Sequence, residues 1–166
     1  PPSTAQLWEQ GAQAKRKVRF RRRRRSADRS PSRAKLLKRG PGICAPAEDH
    51  TPGDGLYAFL TGVSPGADAG IGANDVDGGS TTLQSEPIDL SEMVSPVLSY
   101  WRWYVNAPAS GANPGADWWQ VYVSSDGGQS WVEVEETLTQ DISWRRNAFA
   151  IEEYVPLTDA FKIKFT

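Results

Sequence analysis

"AFKIKFT", residues 160–166, sets Phe161, Ile163 and Phe165 on one side of the chain and Lys162 and Lys164 on the other. A period of two is that of a strand with one buried face and one wet face. Six further runs carry the same kind of text: "LYAFLTG" (56–62), "TTLQSEPIDL" (81–90), "PVLSYWRWYV" (96–105), "WWQVYVSS" (118–125), "WVEVEE" (131–136) and "NAFAIEEYV" (147–155). They are rich in β-branched and aromatic residues and are divided by Gly, Pro, Asn and Asp clusters. Seven such runs predict an all-β chain, an antiparallel two-sheet β-sandwich of the jelly-roll kind.

Within that frame "PVLSYWRWYV" is bulky on both sides, Trp101 and Trp103 on one and Tyr100 and Tyr104 on the other, which predicts a central strand. Pro87 and Pro96 in the connection "SEPIDLSEMVSP" mark positions where the ladder lacks a donor. No repeat of solenoid or propeller length is present.

The charge is divided along the chain. Residues 1–43 hold 14 of the 19 Lys and Arg against Glu9 and Asp28, and residues 44–166 hold 5 against 18 acids, so a net charge of −1 hides segments of about +12 and −13. Residues 12–43, with five consecutive arginines at Arg21–Arg25, contain too few apolar side chains to offset the entropy of ordering. The expectation is a disordered basic segment there, a possible edge strand anchored by Trp8 in residues 1–11, and the sandwich in 44–166.

Several function classes fall away at this level. Cys44 is the single cysteine, which excludes an internal disulfide and a cysteine zinc site. No apolar run approaches the roughly 18 residues of a membrane span. The arginine run binds polyanions by counterion release whatever their sequence, so no specific nucleic-acid partner is expected. The chain opens without Met and stops inside an alternating run, and is read as a piece of a longer protein.

Two loops could carry chemistry. "SSDGGQSW" (124–131) fits the Asp-box pattern S-x-D-x-G-x-x-W through Ser124, Asp126, Gly128 and Trp131. Its physics is that of a hairpin turn: a carboxylate for the turn amides, glycines for positive φ, an indole packed beneath. "NDVDGG" (74–79) resembles an EF-hand start, yet the first and twelfth ligand positions fall on Ala73 and Gln84, so that motif fails. Hard oxygen donors remain: Asp68, Asn74, Asp75 and Asp77, with Glu48, Asp49 and Asp54 in the preceding loop. They admit two readings, turn geometry alone or a calcium shell completed by two acidic loops at a sandwich edge.

His50 lacks a nucleophile partner in any recognisable motif. Glu133, Glu135, Glu136, Glu152 and Glu153 could supply a glycosidase pair, and strand acids of this kind more often form a solvated face. Among seven tryptophans, Trp118, Trp119 and Trp144 are placed to escape the core, and Trp118 and Trp119 are the candidates for stacking on a sugar.

Taken in order, "EDHTPGDGLYAFLTG", "NDVDGGSTTLQSEPIDLS", "PVLSYWRWYVN" and "DWWQVYVSSDGGQSWVEVE" resemble a MAM-like, concanavalin-type jelly-roll module of secreted bacterial proteins, often attached to zinc carboxypeptidases or other hydrolases. The likeness covers about three quarters of the chain. It implies a non-catalytic, extracellular accessory or adhesion module, not an enzyme, stabilised by a bound calcium ion. It implies adjoining domains of a parent protein as partners, with a glycan or cell surface as a further one. Asp49, Asp75 and Asp77 match the acidic positions of the pattern, and Glu48 and Asp54 are weaker matches. The chain departs from it in the long basic run after "WEQG" (8–11) and in lacking a further acidic strand after "FKIKFT". The rival reading is a carbohydrate-binding module or glycosidase fragment that uses the surface tryptophans.

Overall fold

The computed structural model describes residues 3–7, 16–21, 32–35, 50, 57–61, 79–106 and 115–166. These form ten strands in order: β1 Ser3–Leu7, β2 Arg16–Arg21, β3 Ser32–Lys35, β4 Tyr57–Leu60, β5 Leu83–Ser85, β6 Val97–Tyr104, β7 Trp119–Ser124, β8 Val132–Thr137, β9 Asp141–Ala150 and β10 Lys162–Phe165. One 3-10 turn, Ile151–Glu153, is the helical piece among the described residues, and no described helix is long and apolar enough to cross a membrane. The chain is all-β, with every pairing antiparallel.

The larger sheet has six strands in the order β1-β2-β5-β10-β7-β8; β3 pairs with β4, and β6 with β9. Alternation along β10 is what the sequence predicts: Phe161 and Ile163 are buried, while Lys164 lies over the Tyr122 and Trp131 rings on the opposite face. Phe161, Ile163, Val121, Val123 and Leu83 form a core with Leu98 of β6 and with Leu90, Ile151 and Val155 from the connections. Each fully buried large side chain of this kind stabilises the fold by about 1.5–3 kcal/mol.

β6 lays its Tyr100 side over the larger sheet. The Tyr100 ring meets Phe165 edge-on at 5.1 Å and Trp119 at 6.4 Å. Trp101 and Trp103 take the other side, so the fold is sandwich-like. Among the described residues β6 pairs with β9 alone, in a register from Val97↔Ala150 to Tyr104↔Asp141.

β9 differs from the expected strand at 147–155: it starts at Asp141 and ends at Ala150. Its partner sets both limits. The amide of Ile151 donates to Pro96 O, where β6 begins, and the chain then tightens as Tyr154 and Val155 amides both donate to Ile151 O. Glu152 and Glu153 therefore sit on an exposed turn.

Pro87 interrupts the β5–β10 ladder as expected. Pairing runs Leu83↔Phe165 and Gln84↔Lys164 and resumes at Ile88↔Phe161, where Ile88 N donates to Phe161 O at 2.8 Å. In the gap, the buried Ser85 hydroxyl accepts from Ile163 N at 2.9 Å.

Two pieces of the basic segment expected to be disordered are strands here. β2 joins β1 to β5, with Phe20↔Ser85 and Arg21↔Gln84, and β3 pairs with β4. The compositional argument weighs only what a segment can bury by itself. An edge such as that of β5 offers main-chain partners regardless of side chain. β1 ends the sheet; Trp8, Cys44 and the rest of 12–43 lie outside the described residues.

Candidate functional site

The inward positions of β6 gather the ionisable groups. Arg102, flanked in sequence by two tryptophans, has a side chain only 2% exposed; its Nη1 lies 3.1 Å from Glu135 Oε1 and its Nη2 2.9 Å from Asp141 Oδ2. Tyr104 and Trp119 rings each lie 5.7 Å from the guanidinium carbon. The other oxygen of Glu135 accepts the Tyr100 hydroxyl and, at 3.1 Å, Trp119 Nε1. Burial, and then the Glu135 carboxylate beside it, pushes the Tyr100 hydroxyl far above the ordinary tyrosine range. Burial also raises Tyr104 to about 12, with Asp117 adding to the shift.

Glu135 reaches this cluster because β8 is bulged. The β7–β8 register steps from Val121↔Glu135 to Tyr122↔Glu133, leaving Val134 unopposed and turning the next residue inward. Plain alternation places Glu133, Glu135 and the strand's other acids in one solvated set; the extra residue takes Glu135 out of it. Glu133 and Glu136 remain exposed. Below the cluster Asn106, 2% exposed, donates to Leu138 O at 2.7 Å and accepts from Asp117 N at 2.9 Å, closing the β6–β7 connection on itself and tying it to the β8–β9 connection.

The outward positions of β6 and β9 are aromatic. Trp101 is 42% exposed and Ile142 is 59% exposed. Trp103 and Trp144 meet edge to face at 6.1 Å. His50 stacks on Trp101 and meets Trp144 edge-on. Arg146, the cross-strand partner of Trp101, is exposed.

The Asp-box stretch is a closed turn. Asp126 accepts Gln129 N at 2.8 Å, both of its oxygens accept Ser130 N, and it takes the Ser124 and Ser130 hydroxyls as well. These donors, Ser130 first, hold its carboxyl far below the usual carboxylate range. Gly127 and Gly128 have φ of 77° and 93°, which L side chains rarely adopt. The box is thus an internally satisfied folding element.

Of the residues expected to act, Glu48, Asp49, Asp54, Asp68, Asn74, Asp75 and Asp77 lie outside the described residues. Among the described residues no trio of His, Cys, Asp or Glu gathers for a metal. Trp118 is 51% exposed at the mouth of β7, whereas Trp119 faces inward and gives its indole to Glu135. The sequence marks Trp101 as strand bulk rather than as a site residue and gives Arg102 no role, although the run Tyr-Trp-Arg-Trp-Tyr carries the signal: two aromatic faces with a charge fixed on one. No protein-family model, no curated protein and no solved structure matches the chain.

Proposed function

We propose that this chain is a non-catalytic accessory module of a larger secreted protein, a MAM-like, concanavalin-type jelly roll that holds its parent against an external surface. The observation behind this reading is the division of β6 into two faces. Its inward residues, Tyr100 and Arg102, are consumed in bracing the layers through Glu135 and Asp141, and its outward residues offer rigid aromatic surface. Side chains on strands are held in place before binding, which lowers the ordering cost of a contact.

A calcium ion between the loops of Glu48, Asp49 and Asp54 and of Asp75 and Asp77 belongs to the same proposal, supported by the oxygen-rich text of both loops. Such an ion would stabilise the fold by RT ln(1 + [L]/Kd), about 2.7 kcal/mol at a hundredfold excess over Kd. Raising calcium should lift the melting temperature, and Asp75→Ala with Asp77→Ala should abolish the rise; a melt indifferent to chelator rejects the ion.

The test of function is retention of the labelled full chain on cell-envelope material and insoluble polysaccharide, alongside assays of glycoside and peptide hydrolysis. Retention without turnover supports the module. Turnover, or no retention on any surface, rejects it. The glycosidase reading needs a carboxylate pair at one cleft, and the commitment of Glu135 to Arg102, Tyr100 and Trp119 favours the module over it.

A further inference from the structure

We propose that the outward face of the β6–β9 ribbon is a stacking platform for a neutral pyranose polysaccharide, with Trp101 and Trp144 as its floor and Arg146 as the hydrogen-bonding group beside it. The proposal rests on the accessory-module reading and names the partner and its place, distinct from Trp118 and Trp119. The face combines indole surface with polar tips. Trp101 is 42% exposed directly across from Arg146, and Trp144 is fixed edge to face against Trp103 at 6.1 Å. His50 stacks on one face of Trp101 and meets Trp144 edge-on, which fixes both indoles and leaves the exposed part of Trp101 as the surface open to a ligand.

The chemistry of the occupant follows from what such a face can satisfy. Indole rings present a broad apolar surface with a negative face, which suits the polarised C–H bonds on the flat side of a pyranose ring. The guanidinium of Arg146 is a planar fork of donors and no acceptors, fitted to hydroxyl and ring oxygens. No pair of the hydrogen bonds or ion pairs shown in the described residues engages it. The aliphatic side chains of this face are Ile142 at one end and Val97, Ala148 and Ala150 at the other, divided by Trp101, Trp144 and Arg146, so it lacks the continuous aliphatic surface expected for a partner helix.

Charge decides between neutral and acidic polymers. Residues 44–166 carry 18 acids against 5 bases, and of those bases Arg102 is buried and paired. One exposed guanidinium acts over about 8 Å at physiological salt and gives this face no cationic track for a polyanion, whose binding falls instead to the arginine run at Arg21–Arg25 by counterion release. The face itself suits neutral chains, bound by contact and hydrogen bonding with little dependence on salt.

The experiment is affinity electrophoresis and titration calorimetry of the full chain with a soluble neutral β-glucan and with polygalacturonate. The variants are Trp101→Ala, Trp101→Phe, Trp144→Ala, Arg146→Ala and Trp118→Ala, each checked for an unchanged melt. The wild type should bind the glucan with little salt dependence. Trp101→Ala should weaken it roughly tenfold or more, the scale on which a central aromatic contact acts. Trp101→Phe should keep most of the affinity, Arg146→Ala should lose less than Trp101→Ala, and Trp118→Ala should bind as the wild type does. Folded Trp101→Ala and Trp144→Ala binding as tightly as wild type overturns the platform, as does a loss that follows Trp118→Ala. Binding of polygalacturonate alone, falling steeply with salt, overturns it too. Retention on envelope material with no glucan binding overturns the platform and leaves the module reading standing; no retention and no glucan binding overturns both.

Discussion

The Ser85 hydroxyl accepts the main-chain N–H of Ile163 at 2.9 Å, inside the sheet and at the point where Pro87 breaks the ladder between β5 and β10. A side chain thus stands in for a backbone acceptor where the pairing steps by one residue between Gln84↔Lys164 and Ile88↔Phe161. Both residues are nearly fully buried, so water cannot take over the bond.

Ser85→Ala should therefore cost more than loss of an average hydrogen bond. It leaves a buried amide unsatisfied, a penalty of about 1–3 kcal/mol. Denaturant melts of the variant should show a lower midpoint with the same slope, and Ser85→Thr, which keeps the hydroxyl, should recover part of the loss. A wild-type midpoint in Ser85→Ala would mean that Ile163 N finds another acceptor.

Arg102 and Glu135 should behave as a coupled pair. Removing one member of a buried ion pair strands the other, with a cost of about 3–5 kcal/mol, whereas replacing both by apolar groups of similar volume is often close to neutral. Arg102→Met strips Glu135 of its cation and leaves Asp141 only the longer, 3.4 Å contact to the exposed Arg145, and should be the most damaging single change. Glu135→Leu leaves Arg102 with Asp141 and should cost less. A double-mutant cycle measures the coupling, and strictly additive free energies would show that the two side chains do not act together.

Gly127→Ala and Gly128→Ala should separate backbone strain from crowding. Both glycines are at positive φ, a strain of about 1–2 kcal/mol for an L residue. At Gly127 a Cβ meets open space, while at Gly128 it lies 3.1 Å from Trp131 Cζ2 and 3.2 Å from Gln84 Nε2. Gly128→Ala should thus lower the melting temperature further than Gly127→Ala, and equal shifts would show that the Trp131 ring gives way freely.

Asp126 should tie the hairpin turn to acid. Its folded carboxyl is held well below the unfolded value of about 3.9, so its contribution is fully present above that pH. The contribution is lost as pH falls from there through the lower folded value. Asp126→Asn should be less stable than wild type at neutral pH, with the difference shrinking as the solution is acidified below about pH 4. Thermal melts across that range check it, and a pH-independent gap would remove the carboxylate from the turn's stability.

The strand text was legible because alternation is a property of consecutive residues. Phe161, Ile163 and the two lysines announce β10, Tyr100 and Trp101 announce the two faces of β6, and Ser124 to Trp131 announces a turn whose donors and acceptor all lie within seven positions of one another. Each of these can be judged without knowing what lies across the sheet.

What the amino-acid order by itself determined was an all-β chain, the faces of its clearest strands, the Asp-box hairpin and the split of charge between its two segments. Only the tertiary structure decided which charges are buried, because that depends on partners far away in sequence: Arg102 on Glu135 and Asp141, and Glu135 on one unopposed residue in β8. It likewise set where β9 begins and ends, through the limits of β6, and gave part of the basic run a strand role beside β5. Local periodicity fixes which way a side chain points from its own strand; the presence of a counter-charge, a bulge or an open edge opposite it is settled by the rest of the fold.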